Sequence, residues 1–157
     1  MNQTDFIVDK DKLEVTTRRT FKASAERLFK AHTDPAEIPQ WWGPGNLTTT
    51  VDKLELRPGG AWRFVQREPE GQEHAFRGVF KEIDEPTKLV STFEYEPMAG
   101  HVLTQTVTFD EQPDGTTKLT TVAHYDNLQD LQGMVDMAME DGQRESMERL
   151  AAMVEPG

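Results

Sequence analysis

The spacing of hydrophobic residues changes twice in the first quarter of the chain. "KLEVTTRRTF" at 12–21 alternates apolar and polar residues and is rich in β-branched side chains, which predicts a strand. "ASAERLFKAHTD" at 23–34 has helical spacing, with Ser24 as a candidate N-cap. Because Pro35 cannot continue that helix, the following "PAEIPQWW" predicts a second, short helical turn.

After this turn the hydrophobic period becomes two and stays so for about 80 residues. Six segments carry the alternation: "NLTTTVDKLEL", "AWRFVQRE", "HAFRGVFKEI", "KLVSTFEYE", "HVLTQTVTFD" and "TTKLTTVAHYD". Turn signals such as "RPGG" and the Asp114-Gly115 pair separate them. Short strands joined by tight turns predict an antiparallel meander of about six strands.

The last thirty residues return to helical spacing. Apolar side chains recur at Met134, Ala138, Met147, Leu150, Ala151 and Val154. Gly133 and Gly142 weaken the run, so we expect a bend or a start of the helix near 130–134. A curved sheet has one face to bury, and this helix is the one long element that can cover it. The pattern therefore predicts an α+β fold in a single domain, 1–157, with a cavity where sheet and helix do not meet.

Composition and charge exclude several classes of function. The chain has 17 Lys plus Arg against 28 Asp plus Glu, a formal net charge of −11, which disfavours nucleic acid and anionic membrane surfaces as partners. It has no cysteine, which excludes thiol chemistry, disulfides and cysteine-based metal sites. No signal-like leader and no apolar run of membrane-spanning length is visible. We expect a soluble, cytoplasmic protein.

Catalytic and metal-binding motifs are lacking in the sequence. The four histidines are His32, His74, His101 and His124, and no pair of them has the spacing of a metal site. None of the three serines lies in a nucleophile elbow, and the glycines do not open a phosphate-binding helix. We therefore assign no catalytic residue, no metal ligand and no cofactor. Arg63 and Arg77 could orient a polar ligand, but strand alternation favours placing both on the outer face.

Aromatic and methionine residues are the remaining candidates for a site. Each could be ordinary core, yet together they occur on nearly every strand and on the last helix, where flexible methionines suit varied apolar partners. The predicted ligand-binding residues are Trp41, Trp42, Trp62, Phe64, Phe76, Phe80, Phe93, Tyr95, Phe109, Met134, Met137 and Met147.

Three short motifs carry a resemblance to a known family. They are "WWGP" at 41–44, "RPGG" at 57–60 and "GVFKEIDEPTKL" at 78–89, and the likeness extends over about 13–154. In this order the chain resembles the heat-shock-protein-90 ATPase activator homologue-like family of the START-like (SRPBCC, Bet v 1-like) superfamily. The resemblance implies a helix-grip fold with a deep hydrophobic cavity, two short helices after the first strand, and mostly uncharacterised bacterial relatives. Those relatives usually carry an aromatic residue where this chain has Gln143.

The Trp41-Trp42 pair, which runs into Gly43-Pro44-Gly45, admits three interpretations: a core plug, a cavity rim or a docking patch. In a helix-grip fold the pair lies beside the cavity entrance. We expect one ring to point inward and the other to pack under the loop.

Three functional hypotheses follow. The first is binding of a small hydrophobic or amphipathic ligand, lipid-like or aromatic, without catalysis. The second is a cyclase- or hydrolase-like enzyme, which would need an acid or base inside the cavity, with candidates His74, His101, His124, Tyr95 and Glu94. The third is a co-chaperone or other protein-interaction role through an exposed patch at the tryptophan pair. A homodimer and a chaperone partner both stay open.

Overall fold

The structure is a computed structural model that describes residues 4–42, 47–136 and 139–155. Strands and helices follow the order expected from the hydrophobic period. The strands are β1 Asp5–Asp9, β2 Glu14–Phe21, β3 Thr48–Leu54, β4 Ala61–Arg67, β5 Glu73–Asp84, β6 Lys88–Tyr95, β7 Val102–Glu111 and β8 Thr117–His124. The helices are α1 Ala25–Thr33, α2 Ile38–Trp41, α3 Leu128–Asp136 and α4 Met139–Val154, with a 3-10 turn at Glu96–Met98.

All eight strands form one curved antiparallel sheet in the order β1-β2-β8-β7-β6-β5-β4-β3. Strands β3 to β8 are sequential neighbours, as a meander requires, and β2 pairs with β8 along its whole length, from Glu14 opposite His124 to Phe21 opposite Thr117. The Asp114-Gly115 hairpin joins β7 to β8, and Gly115 has a positive φ of 88° that a side chain would strain. The predicted α+β helix-grip architecture is confirmed.

Strand β1 is the element that the hydrophobic period did not predict. It pairs with β2 at the edge of the sheet, so that the sheet gains an extra strand beyond the seven expected. The Asp9 carboxylate accepts hydrogen bonds from the backbone N–H groups of Asp11 and Lys12 and so shapes the connecting turn. The alternation of buried and exposed residues in β1 extends over only a few positions. Phe6 and Val8 are half-buried, while Ile7 between them is exposed.

Helix α1 forms as its sequence predicts. The Ser24 hydroxyl accepts a hydrogen bond from the Arg27 backbone N–H at 3.1 Å, which satisfies one of the free donors at the helix start. Leu28 and Phe29 are buried on its apolar face, and the helix ends just before Pro35. This places the inner side of α1 against one end of the sheet.

The C-terminal segment is helical in two described pieces, α3 and α4. Met147, Leu150, Ala151 and Val154 are buried in α4, at the spacing of one helix face. This face packs with α1, α2 and the sheet face that is turned toward the helices, which we call the inner face. In α3, Leu131 is buried in a second apolar cluster with Tyr125.

Candidate functional site

A cavity of about 380 Å³ lies between the inner face and the helices. It is lined by inward residues of β4 to β8 and by side chains from all four helices. Of the twelve predicted ligand-binding residues, nine line it: Trp41, Trp42, Trp62, Phe64, Phe76, Phe80, Phe93, Met134 and Met147. Met137 lies outside the described residues.

Five rings form one side of the cavity, which we call the aromatic wall: Trp42, Trp62, Phe64, Phe76 and Phe93. The Trp42 ring packs edge-on against Phe64 and Phe76, with centroids 5.1 and 5.3 Å apart. Phe93 lies 5.4 Å from Phe76 and 5.8 Å from Trp62. Aromatic pairs at such distances add stability beyond the area that they bury. The wall is therefore a packed unit with one face toward empty space.

Gly78 allows the Trp62 indole to pack closely against β5. The two residues are directly opposite each other in the β4–β5 ladder. A Cβ on Gly78 would lie 2.5 Å from the indole Nε1 and 1.9 Å from the Thr92 carbonyl oxygen. Among the described residues, the buried Nε1 has no hydrogen-bond partner.

The tryptophan pair belongs to the cavity lining. Trp41 is 5% exposed and its Nε1 donates to the Ala31 carbonyl at 2.9 Å. Trp42 is half-buried and turns its ring into the aromatic wall. Both residues line the cavity, so the pair is a cavity wall rather than an exposed docking patch. The predicted turn at 43–45 lies outside the described residues.

The opposite side of the cavity, which we call the helix wall, consists of Met134 of α3 and Gly142, Gln143, Ser146 and Met147 of α4. It carries no aromatic ring. Nothing lies within 4 Å of the position that a Cβ on Gly142 would occupy. The glycine that weakens the helix in sequence therefore borders open space, next to the position where relatives are expected to carry an aromatic residue.

Tyr95 and Phe109, both predicted to contact ligand, are not part of the cavity lining. Tyr95 stacks on Phe76, at 5.1 Å, and its hydroxyl hydrogen-bonds to His74 Nδ1 at 2.8 Å. Phe109 is buried between Phe29 and His32. Both have the inward phase of the lining residues, but they pack against neighbouring rings and do not line the cavity.

Polar residues at inward positions also line the cavity, and sequence reasoning did not propose them. Gln66 follows Phe64 by two residues, Ser91 lies between Leu89 and Phe93, and Gln105 lies between Leu103 and Val107. Ser91 and Gln105 are cross-strand partners. The available signal was a polar residue in phase with an apolar series, which the strand alternation places on the inner face.

His32 lines the cavity from α1. Its ring packs against Trp41 at 4.7 Å and Phe109 at 5.1 Å, and its Nδ1 hydrogen-bonds to the Leu28 carbonyl at 2.8 Å. The side chain is half-buried and belongs to the cavity lining. Burial lowers the pKa of His32 from 6.5 to about 4, against the weaker raising effect of the Leu28 hydrogen bond. His32 is therefore neutral at neutral pH.

The remaining acid–base candidates do not reach the cavity. His74 lies between the Tyr95 hydroxyl and the Glu68 carboxylate, the latter at 2.6 Å. His101 and His124 are exposed, beside Asp130 and Glu14 respectively. Glu94 accepts from Arg77 and from the Gly100 backbone N–H, which lowers the pKa of its carboxyl. None of these candidates lines the cavity.

Arg63 and Arg77 lie on the outer face, as strand alternation favoured. Arg63 forms a two-point ion pair with Glu96 at 2.7 and 3.0 Å and also contacts Asp52. The Arg63 guanidinium lowers the pKa of the Glu96 carboxyl, and the pair raises the pKa of Arg63 in turn. These arginines stabilise the outer surface and do not contact the cavity.

In the part of the chain that the structure describes, no group of three His, Asp or Glu side chains could hold a metal ion. No helix there is both long enough and apolar enough to cross a membrane.

Comparisons with known proteins agree with this geometry. A family model described as "Activator of Hsp90 ATPase homolog 1-like protein" matches residues 22–155, which confirms the resemblance. Curated protein sequences give no match.

The crystal structure of protein Ms6760 from Mycobacterium smegmatis is similar, with 27% identity, a TM-score of 0.88, and coverage of 100% of this chain and 99% of that one. A solution structure from Arthrobacter aurescens has 25% identity, a TM-score of 0.87, and coverage of 94% and 89%. A protein from Rhodobacter sphaeroides, at 24% identity, shares the fold with a TM-score of 0.87 over 96% and 97% of the two chains.

Proposed function

The chain belongs to the family of proteins like activator of Hsp90 ATPase homolog 1, and from that premise we propose that it binds a small hydrophobic or amphipathic molecule, lipid-like or aromatic, between the sheet and the C-terminal helices. The fold of this family is generally a ligand-binding fold. The ligand would lie against the aromatic wall and be covered by the helix wall.

The observation that carries this proposal is the cavity of about 380 Å³ beside five packed rings. Its size is within the range of small-molecule sites, which are mostly apolar with a few placed polar groups. An ordinary core would close such a space, because protein interiors pack as densely as organic crystals. Burial of apolar surface, worth about 25 cal/mol per Å², would drive binding.

The hypothesis of an enzyme gains no support from the residues proposed for it. His74, Tyr95 and Glu68 form a hydrogen-bonded chain, but none of the three lines the cavity. The protein-interaction hypothesis depended on an exposed tryptophan pair, and Trp41 is buried while Trp42 packs in the aromatic wall. Ligand binding is the function that the cavity supports best.

A direct test is titration with the neutral fluorescent dye N-phenyl-1-naphthylamine. We expect saturable binding of one dye per chain with roughly micromolar affinity. The variant Gly142→Leu places a side chain into the open space at the helix wall and should weaken binding by about tenfold or more, since tenfold corresponds to only about 1.4 kcal/mol.

The matched control is Gly133→Leu. Gly133 lies in α3, also has nothing within 4 Å of a Cβ position, and does not line the cavity. Leucine favours the helix at both positions, so both variants should fold. Equal dye binding by the two variants, or no saturable binding by the unmodified protein, would contradict the proposed function.

A further inference from the structure

The lining of the cavity carries no charge at neutral pH. No Asp, Glu, Lys or Arg is found among the described residues that border it, and its ionisable side chains are His32 and Tyr125. Burial lowers the pKa of His32 to about 4 and raises the pKa of Tyr125 to about 12, so both are neutral. A charged ligand group placed inside would lose its hydration without an opposite charge to replace it. The cavity therefore favours a neutral ligand.

His32 offers a hydrogen-bond acceptor to that ligand. A carbonyl oxygen can only accept, so the hydrogen bond to Leu28 requires that Nδ1 carries the proton. In a neutral imidazole the other nitrogen, Nε2, then has a free lone pair. Nε2 has no hydrogen-bond partner among the described residues and keeps some accessible surface, and His32 itself borders the cavity.

The orientation of this acceptor is set before any ligand arrives. The Trp41 ring and the Phe109 ring pack against the imidazole, and the Leu28 hydrogen bond fixes its tautomer. A ligand donor would therefore meet a group whose rotational freedom is already lost, which reduces the entropic cost of the contact.

Gln66 supplies a second polar contact at the cavity. It is 6% exposed, has an inward position on β4, and makes no side-chain hydrogen bond to any other described residue. An amide can both donate and accept. Buried polar groups are normally paired, so an unpaired amide that borders a cavity is expected to bind water or a ligand atom there.

We propose that the natural ligand is a neutral, hydroxyl-bearing amphipathic molecule, an alcohol or phenol, that donates a hydrogen bond to His32 Nε2 and places its apolar body against the aromatic wall. This inference rests on the proposed function and narrows its ligand class. A carboxylate cannot donate to Nε2 and would face its lone pair, while an ether lacks the donor. Both should bind less tightly than the matching hydroxyl compound.

The test is calorimetric titration with three naphthalenes of the same ring size: 2-naphthol, 2-methoxynaphthalene and 2-naphthoate, at neutral pH. We expect 2-naphthol to bind about fivefold to tenfold more tightly than 2-methoxynaphthalene, as one net hydrogen bond predicts. Naphthoate should bind most weakly. Equal affinity for the naphthol and the methoxy compound would overturn the inference and leave the proposed function standing. If 2-naphthol does not bind, the inference is overturned, and the dye titration decides whether the proposed function falls with it.

The variant His32→Phe should bring the ratio between naphthol and methoxynaphthalene close to one while methoxynaphthalene still binds. The control His124→Phe removes an exposed histidine outside the cavity and should keep the preference. A preference that survives in His32→Phe would contradict the assignment.

A measurement on the unmodified protein covers the case in which His32→Phe does not fold. Nitrogen NMR of the imidazole should show the His32 Nε2 resonance moving upfield with 2-naphthol, as expected for a nitrogen that accepts a hydrogen bond, and much less with 2-methoxynaphthalene. An unchanged Nε2 resonance under saturating naphthol would overturn the inference.

Discussion

The two sides of the cavity are built in opposite ways. The aromatic wall is a set of mutually packed rings on β4 to β6 and α2, and at Gly78 it tolerates no added carbon. The helix wall has methionines, Gln143 and Ser146, and at Gly142 it borders open space. The aromatic wall stabilises the fold as well as lining the cavity. The helix wall has open space at Gly142, where a larger side chain can be accommodated.

This difference indicates where stability and specificity can be separated. Substitutions in the aromatic wall should change folding and binding together, because each ring contacts two or more others. Substitutions at the half-buried Met134 and at the open Gly142 of the helix wall should change the shape of the cavity at little cost in folding, whereas Met147 is part of the buried core. Stability measurements on matched residues of the two walls test this difference.

The largest expected effect is that of Trp62→Ala. Trp62 is 5% exposed and contacts Phe64 and Phe93, so its removal should lower the free energy of unfolding by about 3 to 5 kcal/mol. Met134→Ala, at a half-buried position of the helix wall, should cost clearly less, about 1 kcal/mol. Urea unfolding measures the free energy of unfolding of both variants. Equal decreases would contradict the proposed difference between the two walls.

The next largest expected effect is a change of stability with pH that is caused by His32. It tests whether close ring packing extends from the aromatic wall to α1. Because the pKa of His32 is lowered from 6.5 to about 4, the unfolded chain takes up the proton first as the pH falls. The contribution of His32 to the free energy of unfolding is therefore fully present above pH 6.5. It should decrease between pH 6.5 and about 4, by a total of about 3 kcal/mol.

The measurement is urea unfolding across this pH range for the unmodified protein and for His32→Phe. The difference between the two curves isolates His32. Glu94 and Glu96, whose pKa values are lowered from 4.5, lose their contribution only at more acidic pH. Parallel curves for the two proteins would show that the imidazole is not shielded from water by its neighbouring rings.

The smallest expected effects come from single methyl groups at two glycines. Gly78→Ala forces a carbon against the Thr92 carbonyl and the Trp62 indole and should destabilise by about 1 to 3 kcal/mol. Gly142→Ala has free space in a helix interior and should stabilise by about 1 kcal/mol. A lower melting temperature for Gly78→Ala and a higher one for Gly142→Ala would support the contrast between the walls. An unchanged melting temperature for Gly78→Ala would contradict it.

Much of the fold could be predicted from local patterns. The alternation in β4 and β6, the Ser24 cap and the Asp114-Gly115 turn depend on neighbours a few residues apart, and each is found as predicted. Strand β1 was missed because its five residues are too short for a clear period, and its pairing with β2 supplies the stability that the segment lacks alone.

The candidate site was predictable only in part. Phe93 and Phe109 have the same inward phase, yet one borders the cavity and the other is buried behind His32. Their distinction depends on position along the strand, because Leu103, Gln105 and Val107 of β7 border the cavity while Phe109, further along the same strand, packs against α1. Gln66 and Gln105 were not predicted as site residues. A polar residue in an apolar strand series indicates a ligand contact only when a cavity is known to lie beside it.

Sequence patterns predicted the family, the order of the elements other than β1 and the inward phase of the strand residues, because strand and helix periods are local properties of the chain. Only the tertiary structure decided which inward residues meet empty space, since that depends on the gap between a curved sheet and separate helices. The tryptophan pair illustrates both: the sequence pattern and the family resemblance predicted one ring inward and the other packed under the loop. In the structure both rings line the cavity, and Trp42 packs against Phe64 and Phe93.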